Sequence, residues 1–94
     1  MSYSEKQIEH ALTLMVKARG GIAPKFVSPS FAGMPDRLVL LPGGVFAFAE
    51  LKAPGMKPRA PQLARHRLLK DLGFKVYVID GIEQIEEVLS EIAG

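Results

Sequence analysis

Ninety-four residues, 48% of them hydrophobic and 23% charged, supply one modest core and exclude wholesale disorder. The absence of cysteine excludes a disulfide framework, a zinc ribbon and a thiol nucleophile, so a metal site must use oxygen or the two histidines. The formal net charge is only +2, and the leading residues Met1 to Lys6 are polar, without the apolar stretch of a signal peptide or a membrane span. A cytoplasmic protein and a single domain over 1–94 are expected.

In chain order, residues 4–19 read as a helix. Ser4 can cap it, Ile8, Leu12, Met15 and Val16 form an apolar stripe, and Gly20-Gly21 stop it. Residues 22–27 read as a strand ended by Ser28-Pro29-Ser30. Residues 37–41 and 45–51 are rich in Leu, Val and Phe and flank Pro42-Gly43-Gly44, the pattern of a hairpin. Residues 53–61 contain three prolines and a glycine and form a loop. Pro61 suits the first turn of a helix that buries Leu68, Leu69 and Leu72 and ends at Gly73. Lys75 to Ile79 is a last strand. Asp80 with Glu83 opens a final helix cored by Ile82, Ile85, Val88, Leu89 and Ile92.

The order is therefore αβββαβα. Strand 45–51 is apolar on both pleat faces, so helices should cover both sides of the sheet. A right-handed helical crossover then makes strand 75–79 parallel to it. The expected fold is a three-layer α/β/α sandwich with a mixed sheet.

Charge is distributed unevenly along this frame. Residues 52–75 carry seven bases (Lys52, Lys57, Arg59, Arg65, Arg67, Lys70, Lys75) against Asp71 alone, a local +6. Residues 76–94 carry five acids and no base. The basic stretch is either a solvated helix face or a phosphate-binding footprint.

Asp36 and Glu50 are conspicuous beside strands that are otherwise nearly all apolar, because a buried carboxylate needs a partner or a metal. Their relation depends on hairpin register. A two-residue Gly43-Gly44 turn puts them on opposite faces. A three-residue Pro42-Gly43-Gly44 loop with Gly44 left-handed pairs positions 36 and 50 directly, with Cβ atoms roughly 5 Å apart. The second register is predicted. Lys52 follows Glu50 by two residues and shares its face. Two carboxylates with room for water suit Mg²⁺ or Mn²⁺, and the ammonium can orient or help deprotonate a water. A salt bridge between Lys52 and one carboxylate is the ordinary alternative. Arg37 should point to the other face, and His66, one helical turn after Gln62, could face the cleft.

Gly33-Met34-Pro35-Asp36, Glu50-Leu51-Lys52 and Gln62 together resemble the PD-(D/E)xK nuclease superfamily. More narrowly they resemble the stand-alone VRR-NUC domain of bacteriophages and bacteria, over nearly the whole chain, including Glu9 and Phe26-Val27-Ser28-Pro29. The resemblance implies a restriction-endonuclease-like fold and a Mg²⁺- or Mn²⁺-dependent phosphodiesterase, with branched DNA such as the Holliday junction as substrate. By the same resemblance Asp36, Glu50 and the Leu51 carbonyl bind metal, Lys52 serves the water, and Gln62 holds substrate or a metal water. Glu9 supports the metal from the first helix, although Glu5, one turn earlier on the same face, could do so instead. Lys57, Arg59, Arg65, Arg67 and Lys70 are the expected DNA contacts. A four-way junction has two equivalent cleavage points, so a homodimer is expected. The alternatives are a non-catalytic nucleic-acid-binding module on the same fold and a domain whose basic helix docks on an acidic protein.

Overall fold

A computed structural model describes residues 3–94. Helix α1 (Glu5–Ala18) begins with a capping box: Ser4 Oγ accepts from the Gln7 amide at 3.2 Å and Gln7 Oε1 accepts from the Ser4 amide at 2.8 Å. Its buried residues Ile8, Leu12 and Val16 recur every four positions, which turns one stripe of the helix onto the sheet.

The sheet has the order β1 (Arg37–Leu41), β2 (Val45–Leu51), β3 (Val76–Ile79). β1 and β2 are antiparallel, and Arg37 pairs with Ala49 and Leu41 with Val45. This is the register of the three-residue Pro42-Gly43-Gly44 loop, in which Gly43 and Gly44 both have positive φ. β2 and β3 are parallel, joined through helix α2 (Ala60–Asp71).

The expected strand 22–27 is present only as two isolated bridges to β1, Ile22 with Leu40 and Lys25 with Arg37. Pro24 explains the interruption. Its carbonyl accepts from the Leu38 amide at 3.0 Å, but it has no N–H to donate, so a continuous ladder cannot form.

The final helix also starts later than expected. Residues Ile82–Gln84 form a 3-10 turn and helix α3 spans Ile85–Ala93. Asp80 pairs with Gln84, whose Nε2 donates to Asp80 Oδ1 at 2.7 Å and whose Oε1 accepts from the Asp80 amide at 3.0 Å, in place of the Glu83 cap.

Two cores lie on the two sides of the sheet. α1 and α3 cover one face through Ile8, Leu12, Val16, Ile85, Leu89 and Ile92 against Val39, Ala47, Ala49, Leu51 and Ile79. On the other face Leu69 of α2 packs with Phe48 and Val76, bordered by Phe26, Met34 and Leu38. This is the expected three-layer α/β/α arrangement. α2 differs in phase from its leucine pattern: it buries His66 and Leu69, while Leu68 and Leu72 are 38% and 65% exposed. No helix among the described residues is long and apolar enough to cross a membrane.

Candidate active site

The pleat alternation that places Arg37, Val39 and Leu41 against α1 and α3 turns Asp36 and Leu38 to the α2 side. In β2 the same alternation puts Phe48 and Glu50 on that side. The observed register continues one step past the last pair and sets Asp36 across from Glu50. They meet at the end of the hairpin in an open cleft of about 430 Å³, which Leu51, Lys52 and Gln62 also line.

Asp36 is fixed from two directions. Its Oδ1 accepts from the Leu51 amide at 3.2 Å, and its carbonyl accepts from the Phe26 amide at 2.9 Å. Glu50 is almost wholly buried, at 2% exposure. Gln62 Nε2 donates to Glu50 Oε2 at 3.1 Å, and Lys52 Nζ lies 3.7 Å from the same oxygen. Gln62 is itself oriented, since its Oε1 accepts from the Arg59 amide at 2.8 Å and so caps α2. One side chain therefore ties the helix start to the strand carboxylate.

Burial first, then the charge of Asp36, raises the pKa of Glu50 to about 7 against the opposing charge of Lys52. Burial also raises Asp36, against the bond from Leu51 and with help from Glu5 and Glu9. Each carboxylate is thus less stable as an anion than in water, as expected of two acids gathered for a cation.

The arrangement fits a divalent metal. Asp36 and Glu50 offer hard oxygens, the backbone of Leu51 reaches the same cleft, and Glu50 Oε1 is a buried acceptor with no hydrogen-bond partner among the described residues. Among those residues no cluster of three or more His, Cys, Asp or Glu side chains is placed to hold a metal. Two carboxylates and a carbonyl are nevertheless a sufficient protein share for Mg²⁺, which keeps several waters.

The two helix acids separate. Glu5 lines the cleft, whereas Glu9 Oε1 lies 3.2 Å from Arg37 Nη2. Arg37 is buried on the α1 side, as its place in the strand implies, and its Nη1 donates to the Ala23 carbonyl at 2.6 Å.

The basic side chains also divide. Arg59 lines the cleft, and Lys57, Arg67 and Lys70 are exposed. Arg65 is engaged within the fold: its guanidinium lies 3.7 Å from the centre of the Phe31 ring, and Nε donates to the Ala32 carbonyl at 2.9 Å.

His66, one helical turn after Gln62, meets Glu50 from the same helix. It is 4% exposed, and its Nε2 is 3.5 Å from Glu50 Oε1. Burial and the charges of Lys70 and Lys52 lower its pKa, which keeps the imidazole neutral. The available signal was its position: a helix face drawn through Gln62 and Leu69 passes through His66.

An α/β/α fold with two carboxylates and a lysine gathered at the end of a hairpin defines a nuclease fold of the PD-(D/E)xK class. The structure is similar to a solved chain described as "VRR_NUC domain", with a TM-score of 0.84 and 30% identity, covering 92% of this chain and 94% of that one. In sequence it is 53% identical over 76 residues to "Putative nuclease p44" of Acyrthosiphon pisum secondary endosymbiont phage 1, which spans 81% of this chain and 82% of that protein. No family model matches the chain. The chain belongs to the VRR-NUC family of nuclease domains.

Proposed function

We propose that the protein is a divalent-metal-dependent endonuclease that hydrolyses phosphodiester bonds in branched DNA, the four-way Holliday junction foremost. The observation that carries this reading is the meeting of Asp36, Glu50 and Lys52 in one open cleft, fixed by the 37–49 register and by Gln62. A carboxylate pair with Glu50 buried and Asp36 half-buried is costly to the fold unless it serves a bound cation.

Asp36, Glu50 and the Leu51 carbonyl would hold Mg²⁺ or Mn²⁺. When bound, the ion supplies an activated water and offsets charge on the phosphate. The remaining steps belong to the chain's own residues. Lys52 sits at the Glu50 carboxylate, where its ammonium faces the anionic oxygens of a scissile phosphate and stabilises the charge that develops during in-line attack. Gln62 keeps Glu50 turned to the cleft. Arg59 at the cleft, with Lys57, Arg67 and Lys70 outside it, provides cations for the flanking phosphates.

The chain works as a homodimer in this reading. A four-way junction presents two equivalent strands related by a two-fold axis, each chain has one cleft, and a C2 pair supplies two. Light scattering with and without junction DNA measures this, and a monomer under both conditions would exclude it.

Activity is tested by incubating the protein with labelled linear, splayed and four-way DNA in Mg²⁺, Mn²⁺ or EDTA, beside Asp36→Asn. Metal-dependent cleavage of branched DNA, lost in the variant, is expected. A folded sample that binds DNA equally well with or without Asp36, and cuts none of the substrates with either metal, defeats the enzyme in favour of a non-catalytic binding module.

A further inference from the structure

Three buried side-chain atoms have no hydrogen-bond partner among the described residues: Arg37 Nε, Glu50 Oε1 and His66 Nε2. The last two are neighbours, 3.5 Å apart, with side chains 3% and 5% exposed. An orphaned donor and an orphaned acceptor at that separation, both shut away from water, are explained together more simply than apart. Leaving either unmet carries the desolvation cost of a polar group, and a small rotation of either side chain closes the bond.

The geometry of α2 gives the pair its meaning. Gln62 and His66 are one helical turn apart, so they project from one face. Gln62 meets Glu50 Oε2 and His66 meets Oε1. Two contacts from one rigid helix fix the torsion of a carboxylate better than one, since each oxygen then has its own tether. A histidine is an unusual choice for a position packed beside Leu69 unless its nitrogen is used, because an apolar side chain would fill the same space without a polar atom to satisfy.

We propose that His66 is a positioning residue: its imidazole donates from Nε2 to Glu50 Oε1 and, with Gln62 on the other oxygen, holds that carboxylate in the orientation that binds the divalent cation. This rests on the reading of Asp36 and Glu50 as a metal centre. Outer contacts to a metal-binding carboxylate are worth roughly 10- to 100-fold in metal affinity.

The test uses the whole chain and Mg²⁺ alone. Calorimetric titration compares wild type with His66→Leu, His66→Asn and His66→Gln, all checked for a native fold by circular dichroism. Glutamine places an amide N–H near the Nε2 position, asparagine stops short of it, and leucine removes the donor. His66→Leu and His66→Asn should lose roughly 10- to 100-fold in Mg²⁺ affinity, with His66→Gln recovering most of it. Nuclear magnetic resonance of the metal-free protein at alkaline pH adds a second readout, a protected His66 Nε2 proton that disappears in Glu50→Ala. Equal Mg²⁺ affinity in all four proteins, or a glutamine variant as weak as the leucine variant, overturns the proposal while the metal centre stands. A wild type that binds no Mg²⁺ yet keeps the bonded proton overturns the metal centre itself, and the positioning role with it.

Discussion

Glu9 and Arg37 form an ion pair, Oε1 to Nη2 at 3.2 Å, on the side of β1 that faces α1, while Asp36, the residue before Arg37, faces the cleft. The guanidinium is buried, and the Ala23 carbonyl is its other partner. Removing one member of a buried pair strands the other without water. Glu9→Ala should therefore lower stability by about 2 kcal/mol in urea melts, less than for a fully enclosed pair because Glu9 is partly exposed. Glu5→Ala should change stability by less than about 0.5 kcal/mol and weaken Mg²⁺ binding, since Glu5 borders the cleft. Weakened Mg²⁺ binding in Glu9→Ala alone would reassign the helix carboxylate.

Glu50 predicts a pH dependence with a definite sign. Its carboxyl titrates near 7 in the folded chain against an ordinary 4.5, so the folded state keeps a proton that the unfolded state gives up. Stability of the metal-free protein is highest below that window and falls as pH rises from about 4.5 to 7. The full effect is roughly 3 kcal/mol, and Asp36 adds to it in the same direction. Glu50→Gln should remove most of the slope, so thermal melts of variant and wild type should nearly coincide at pH 5, with the variant more stable at pH 8. Mg²⁺ affinity of the wild type should rise across the same interval, because the cation competes with that proton.

Much of the site was legible because local rules decide it. Pro42-Gly43-Gly44 sets the hairpin register, and that register alone brings Asp36 to Glu50. The choice between Glu5 and Glu9 was not legible. Both lie on one helix flank, and what separates them is where α1 crosses the end of the sheet, which depends on packing of Ile8 and Leu12 against residues distant in sequence. The burial of His66 was not legible for a related reason. Leu68, Leu69 and Leu72 suggest a buried leucine stripe, yet a three-stranded sheet leaves α2 only a narrow contact, and the face through Gln62 and Leu69 occupies it. The strand at 22–27 was overestimated because β-prone side chains do not restore the donor that Pro24 lacks.

Arg65 should behave differently from the other bases of its segment. Its stacking on Phe31 and its bond to the Ala32 carbonyl tie the loop before Asp36 to α2. Arg65→Ala should cost about 1–2 kcal/mol in stability. Lys57→Ala, Arg59→Ala, Arg67→Ala and Lys70→Ala should each stay within about 0.5 kcal/mol. Each of those four should instead reduce the slope of log affinity for DNA against log salt by about 1. Binding isotherms at several salt concentrations separate the two groups, and an unchanged slope in all four would remove them from the DNA interface.

Gly33 and Gly44 separate backbone strain from steric contact. Both have positive φ, +83° and +77°, so alanine at either position costs roughly 1–2 kcal/mol in conformation. At Gly44 a Cβ meets nothing within 4 Å, and the cost should end there. At Gly33 the Cβ falls 2.4 Å from the Pro61 carbonyl oxygen and 3.3 Å from Arg65 Cβ, so the loop must move off the start of α2. Gly33→Ala should therefore lose about 3 kcal/mol or more in all. Because Gly33 and Pro61 both line the cleft, the displacement also changes how Gln62 and Asp36 face each other. Cleavage of branched DNA should fall in Gly33→Ala even at temperatures where melts show the protein fully folded, and stay near wild type in Gly44→Ala. Equal losses of stability and of cleavage in the two variants would show that the loop is not seated against α2.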